Sequence, residues 1–169
     1  GIMKQNNGYV LCDSEPGTGT AFRLYLPLTV ARGTTEAAVE QTALPRGTET
    51  VLIAEDDEVT RNLFRSVFAE QGYTVIAAAN GEDAIARFRE RSGEIQLLIL
   101  DVIMPKKNGR QVMDEARAIR PDVKVLFTSG YTADLIHARG ILDPSIEFLA
   151  KPVSPATLLA RARAVLDGR

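Results

Sequence analysis

Four short apolar runs in this chain each end in side chains able to do chemistry. Val51-Leu52-Ile53-Ala54 gives way to Glu55-Asp56-Asp57-Glu58, Leu97-Leu98-Ile99-Leu100 to Asp101, Val125-Leu126-Phe127 to Thr128-Ser129, and Phe148-Leu149-Ala150 to Lys151-Pro152. Carboxylates gathered at one point raise one another's pKa, so Glu55, Asp56 and Asp101 brought together require either protons or a cation. Hard oxygen ligands on an open rim suit Mg²⁺ or Mn²⁺, which keep several waters and accept phosphoryl oxygens as further ligands. Such a cation, with the Lys151 amine, makes a site for a phosphoryl group. In it Asp101 is placed to act as nucleophile, Thr128 to donate a hydrogen bond and Lys151 to neutralise charge on the equatorial oxygens. Asp57 and Glu58 read instead as the cap and first turn of a helix, where negative charge meets the positive helix end.

For these residues to meet, the chain must deliver them to one edge of one sheet. Each apolar run is followed by a segment of helical period: residues 51–54 by 59–71 with Leu63, Phe64, Val67 and Phe68 on one face, residues 73–79 by 81–91 with Ala84, Ile85 and Phe88, and residues 95–100 by 109–119 with Val112, Ala116 and Ile119. Residues 123–127 precede a weaker helix over 133–140, and residues 146–149 precede 154–166 with Leu158, Leu159, Ala162 and Val165. The runs lack alternation, as expected of parallel strands buried on both faces by helices. Five βα units over roughly 50–168 therefore predict a doubly wound α/β domain, whose ligands bind outside the carboxyl ends of the strands. Met104 and Pro105 read as loop scaffold beside Asp101, and Gly109 as a position of close approach or positive φ.

The chain has 169 residues, more than one domain of about 100 to 150 residues requires. The surplus lies at the front. Residues 9–12 and 21–26 are two strand-like runs joined by the turn-rich residues 13–20, a hairpin too small to hold a core alone. Gly17-Thr18-Gly19-Thr20 is followed by a strand rather than a helix, so it reads as a hairpin turn and not as a phosphate loop. Residues 29–49 carry Thr, Ala, Gly, Pro and scattered charge without sustained period and read as a linker, a short helix over 35–41 being the competing assignment. With 45% hydrophobic and 25% charged residues the composition is that of a folded globular chain. A net charge of -2 gives nucleic acid no electrostatic reason to bind, and no apolar stretch approaches the roughly 18 residues of a membrane span. The single cysteine, Cys12, cannot form an internal disulfide and fits a reducing, cytoplasmic setting. His137, the single histidine, has no neighbouring acid or second ligand and reads as a partly exposed helix residue.

The segments AEDDEVTR at 54–61, LLILDVIMPKKNG at 97–109, VLFTSGY at 125–131 and FLAKPVSP at 148–155 together resemble, in order and spacing, the receiver domain of two-component response regulators. The resemblance implies a flavodoxin-like strand order 2-1-3-4-5, Asp101 as phosphoacceptor, and Mg²⁺ held by Glu55, Asp56, Asp101 and the backbone carbonyl of Ile103. It further implies Thr128 as the switch hydroxyl, Phe148 as the switch aromatic, Lys151 at the phosphoryl group, and a cis Lys151-Pro152 peptide. Phe148 stands where many receivers have Tyr and lacks the hydroxyl, so its orientation should depend on packing. The first 29 residues are similar to the last strands of the ATP-binding domain of sensor histidine kinases, without the parts that bind ATP. A kinase tail (1–28), a linker (29–49) and a receiver (50–168) in that order imply the carboxyl end of a hybrid histidine kinase.

The function expected is a Mg²⁺-dependent phosphorelay switch. A phosphohistidine in a kinase dimerisation or phosphotransfer domain, possible in the same parent chain, donates to Asp101, and a downstream histidine phosphotransfer protein is a further expected partner. The acyl phosphate then shifts a two-state equilibrium through Thr128 and Phe148. Three rivals are weaker. An aspartyl-nucleophile phosphatase carries a second Asp two residues after the first, where this chain has Ile103. A flavin phosphate would be repelled by Glu55 to Glu58. A pseudo-receiver that never takes phosphate sits poorly with the intact set of five residues. Ile103 and Gly130 offer no polar side chain to orient an attacking water, so the acyl phosphate should not be unusually short-lived.

Overall fold

The computed structural model describes residues 3, 6–28, 44–130 and 147–168. The helix expected over 133–140, His137, the strand start at Ile146 and the alternative helix over 35–41 lie outside the described residues. By Cα proximity the chain divides into two compact units, Gly1–Thr42 and Ala43–Arg169.

In the first unit β1 (Tyr9–Glu15) and β2 (Gly19–Tyr25) form an antiparallel hairpin, Tyr9 facing Tyr25 at one end and Glu15 facing Gly19 at the other. The strands are longer than the two apolar runs suggested. Polar cross-strand pairs carry the extension: the Ser14 and Thr20 hydroxyls lie 2.8 Å apart and Arg23 pairs with Asp13. Gly17 at φ 80° and Gly19 at φ 119° turn the chain in a conformation that L side chains avoid. The Tyr9 and Tyr25 rings stack with centroids 4.7 Å apart.

The second unit is a five-stranded parallel sheet with helices on both faces. Its elements are β3 (Thr50–Ala54), α1 (Glu58–Glu70), β4 (Thr74–Ala78), α2 (Gly81–Arg91), β5 (Ile95–Asp101), α3 (Gly109–Ile119), β6 (Lys124–Ser129), β7 (Phe148–Ala150) and α4 (Pro155–Asp167). The order is β4-β3-β5-β6-β7, every neighbour parallel, which is 2-1-3-4-5 when the five strands are counted along the chain. Successive residues of the central strands enter opposite cores, as the unbroken apolar runs predict. Leu52, Ala54, Leu98 and Leu100 face Ala84, Phe88, Val112 and Met113, while Val51, Ile53, Leu97 and Ile99 face Phe64, Phe68, Leu158 and Leu159.

The helix starts are set by local chemistry. Asp57, Asn80, Asn108 and Ser154 each accept a hydrogen bond from the backbone N–H three residues on, and Asn108 with Gln111 forms a reciprocal capping box. These caps fix where each loop leaves its strand, and thereby where the residues at the strand ends project. Glu49, placed in the linker by composition, runs into the sheet: its carbonyl accepts from Thr74 N at 3.1 Å and its carboxylate from Arg163 at 2.8 Å. Among the described residues, no helix is long and apolar enough to cross a membrane.

Candidate functional site

The sheet places four of its strand ends side by side. Glu55 follows β3 and still donates its N–H to Ala78 O at 3.2 Å, so it leaves the ladder one residue past the last strand position. Asp101 is the last residue of β5 and stands in register with Thr128 of β6. Ser129, the end of β6, accepts a hydrogen bond from Lys151 N at 2.7 Å just past β7, which brings Lys151 to the same edge. The Lys151-Pro152 peptide is cis.

The side chains converge. One carboxylate oxygen from each of Glu55, Asp56 and Asp101 lies within 4.8 Å of the other two. Glu55 and Asp101 are buried and Asp56 is exposed, so the cluster opens to solvent on one side. The Lys151 amine bridges the two buried acids, 2.5 Å from Glu55 Oε2 and 2.9 Å from Asp101 Oδ2. Burial pushes the Glu55 carboxyl above its ordinary pKa, and the nearby Asp101 charge adds to this against the opposing Lys151 hydrogen bond. Burial also works against the Lys151 ammonium, but the hydrogen bonds and charges of Glu55 and Asp101 outweigh it and hold its pKa above the ordinary value. The second Asp101 oxygen, Oδ1, accepts a long hydrogen bond from Ile103 N at 3.4 Å.

Thr128 is 1% exposed, and its hydroxyl has no hydrogen-bond partner among the described residues. A buried hydroxyl left unpaired costs about 1 to 3 kcal/mol, and this one belongs to the residue in register with Asp101 on the neighbouring strand. Phe148 stands in register with Phe127, half-buried against the core cluster on the α2 and α3 side. The loop after β5 is drawn tight: Gly109 N donates to Val102 O at 3.1 Å, and a Cβ at Gly109 would lie 2.3 Å from the Asp101 carbonyl oxygen. Its φ is not positive, so close approach is what this glycine supplies.

Glu55, Asp56, Asp101, Thr128 and Lys151 therefore meet at one edge as the strand-end reading expects, with Phe148 at the flank. Ile103 is 46% exposed, and only its amide is seen bonded to Asp101. Asp57 and Glu58 form the cap and first turn of α1. The donor set is all carboxylate oxygen, half-open and short of positive charge, which fits a hard divalent cation. One contributor was missed. Arg61 donates to the backbone carbonyls of Glu55 at 2.8 Å and Asp56 at 3.1 Å. The signal available was an arginine one turn into the helix behind the acidic run.

Residues 51–163 match the family model described as the response regulator receiver domain. The sensor kinase CckA of Brucella abortus (strain 2308) is 34% identical over 175 residues, an alignment covering 99% of this chain and 18% of that protein. The aerobic respiration control protein ArcA of Escherichia coli (strain K12) is 33% identical over 117 residues, covering 69% of this chain and 48% of that protein. Thus the chain spans less than half the length of either relative. Among solved structures, the receiver domain from the hybrid histidine kinase CckA aligns with a TM-score of 0.60 at 33% identity, covering 69% of this chain and 98% of that one. A response regulator receiver protein from Sinorhizobium medicae WSM419 aligns with a TM-score of 0.63 at 26% identity, covering 71% of this chain and 95% of that one.

Proposed function

Because the chain belongs to the response regulator receiver domain family, we propose that it is a Mg²⁺-dependent phosphoacceptor, taking a phosphoryl group from phosphohistidine onto Asp101 and changing its partner affinity in response. The observation that carries this reading is the buried Thr128 hydroxyl, unpartnered among the described residues and in register beside Asp101, with the Lys151 amine 2.9 Å from the Asp101 carboxylate. A hydroxyl donor and an amine flank one carboxylate, and a cation on the acidic side would balance the charge that a phosphoryl group brings.

In the transfer, an Asp101 carboxylate oxygen attacks phosphorus, the phosphorus–nitrogen bond of the donor breaks, and the imidazole retains the electron pair and takes up a proton. Lys151 exchanges its hold on the carboxylate for a phosphoryl oxygen, and the Thr128 hydroxyl donates to another. Glu55, Asp56, Asp101 and the Ile103 carbonyl would hold the cation, which supplies charge neutralisation at the phosphoryl oxygens. Drawing Thr128 toward the phosphoryl group changes the packing beside Phe148, which links the chemistry to the outer sheet edge.

The same reading extends to context. Similarity to CckA over 99% of this chain, hairpin included, supports an origin in a hybrid histidine kinase, and the order of a kinase tail at 1–28, a linker at 29–49 and a receiver at 50–168 is the ground for reading it as the carboxyl end of one. The partners would then be a histidine-bearing dimerisation or phosphotransfer domain, in the same parent chain or another, and a downstream histidine phosphotransfer protein, all in the cytoplasm. The test is transfer from a labelled phosphohistidine domain. Label should move to this chain with Mg²⁺, and should not move with EDTA or to Asp101→Asn; equal labelling of Asp101→Asn overturns the assignment.

A further inference from the structure

We propose that Arg61 is a positioning residue for cation binding, its guanidinium pinning the two peptide units from which Glu55 and Asp56 reach the ion; the inference rests on the receiver reading above. Consecutive residues of an extended strand project to opposite faces. Glu55 and Asp56 are consecutive, yet one oxygen from each lies within 4.8 Å of the other and of Asp101. The backbone must therefore leave strand geometry between them and hold the departure.

On the near side, Glu55 N–H still bonds to Ala78 O at 3.2 Å and the Glu55 carboxylate takes the Lys151 amine. β3 ends at Ala54 and α1 begins at Glu58. The Asp57 side chain secures the far end of the segment as helix cap, accepting from Thr60 N at 2.7 Å. Across the gap, the carbonyls of Glu55 and Asp56 both accept from one nitrogen of the half-buried Arg61, at 2.8 and 3.1 Å. Arg61 N also donates to Asp57 O at 2.9 Å, so the residue grips the loop by main chain and side chain. Hydrogen bonds from a guanidinium are charge-assisted and hold geometry better than neutral ones.

The sign of the effect separates positioning from charge. A cation beside a carboxylate cluster repels a second cation, so by charge alone the loss of Arg61 strengthens Mg²⁺ binding. By positioning, the loss weakens it. Groups that orient metal ligands typically cost 10- to 100-fold in affinity when removed, and because Arg61 acts through backbone the lower end applies, about tenfold.

The test titrates the whole chain with MgCl₂ alone, without phosphodonor, following backbone amide shifts by NMR in wild type, Arg61→Gln and Arg61→Lys, with thermal unfolding in EDTA measured alongside. Arg61→Gln should bind Mg²⁺ about tenfold more weakly, and Arg61→Lys should lose affinity in the same direction although its charge is kept. A merely structural role would lower the unfolding midpoint and leave the affinity of the folded protein unchanged, which overturns the inference. Tighter binding by Arg61→Gln overturns it as well. If Arg61→Gln does not fold, Arg61→Lys decides by the same criterion. Wild type that binds no Mg²⁺ defeats the receiver reading itself, a result distinct from wild type and variants binding equally.

Discussion

Lys151→Met should destabilise the metal-free protein in a manner that depends on pH and on Mg²⁺. The amine lies 2.5 and 2.9 Å from two buried carboxylates. At an effective dielectric near 20 each contact carries a gross attraction of about 6 kcal/mol, most of it cancelled by desolvation of the amine and by repulsion between the acids. Removing one member of a buried ionic set costs about 3 to 5 kcal/mol. The Lys151 side chain is 19% exposed on an open rim, which brings the expected loss to about 2 to 3 kcal/mol at pH 7. The sign with pH follows from Glu55, whose folded pKa is already raised and rises further in the variant. A carboxyl with a raised folded pKa favours the folded state below its unfolded pKa and loses that contribution as pH climbs through the folded value. The gap between variant and wild type should therefore be widest at pH 7 and narrow as pH falls toward the carboxylate range. Urea unfolding in EDTA at several pH values measures it. Added Mg²⁺ should restore part of the loss, since the cation replaces the missing charge and binds only the folded state. A loss independent of pH and untouched by Mg²⁺ would refute the reasoning.

Thr128→Val keeps the shape of a buried residue and removes a hydroxyl that has no partner among the described residues, so the unphosphorylated protein should gain about 1 kcal/mol in denaturant unfolding, while phosphorylation should no longer alter partner affinity. A loss of stability would mean that the hydroxyl is already satisfied. Gly109→Ala places a methyl 2.3 Å from the Asp101 carbonyl oxygen; backbone must shift, and unfolding should show a loss of about 2 kcal/mol, with slower phosphorylation of Asp101. The acyl phosphate should persist for minutes rather than seconds when its decay is followed after removal of donor, because Ile103 and Gly130 offer no group to orient water; a half-life of seconds would count against this.

Much of the fold was legible because burial on both faces leaves a plain mark. Strands such as Leu97 to Leu100 have no polar residue to alternate with, and the helices between them keep one apolar stripe, so the parallel, doubly wound sheet follows from pattern. The site was legible for a related reason: Glu55, Asp101, Thr128 and Lys151 stand where apolar runs stop, and a parallel sheet aligns those stops at one edge. The hairpin was read too short, because polar pairs such as Ser14 with Thr20 extend a ladder without any apolar signal. The Lys151 bridge to Glu55 spans 96 positions in the chain, a pairing that no local pattern reports. Arg61 escaped for a different reason. Its partners are backbone carbonyls, which every residue has, and a side chain that serves the main chain leaves no complementary residue to notice.

The central claim is that Asp101 takes a phosphoryl group with the help of a divalent cation. It is tested most directly by incubating the protein with a small-molecule phosphodonor and Mg²⁺ and weighing the intact chain and its peptides. The account predicts a gain of about 80 Da, one phosphoryl group, located at Asp101, dependent on the metal and absent from Asp101→Asn. A folded protein that binds Mg²⁺ and gains no mass, or gains it at another residue, would contradict it.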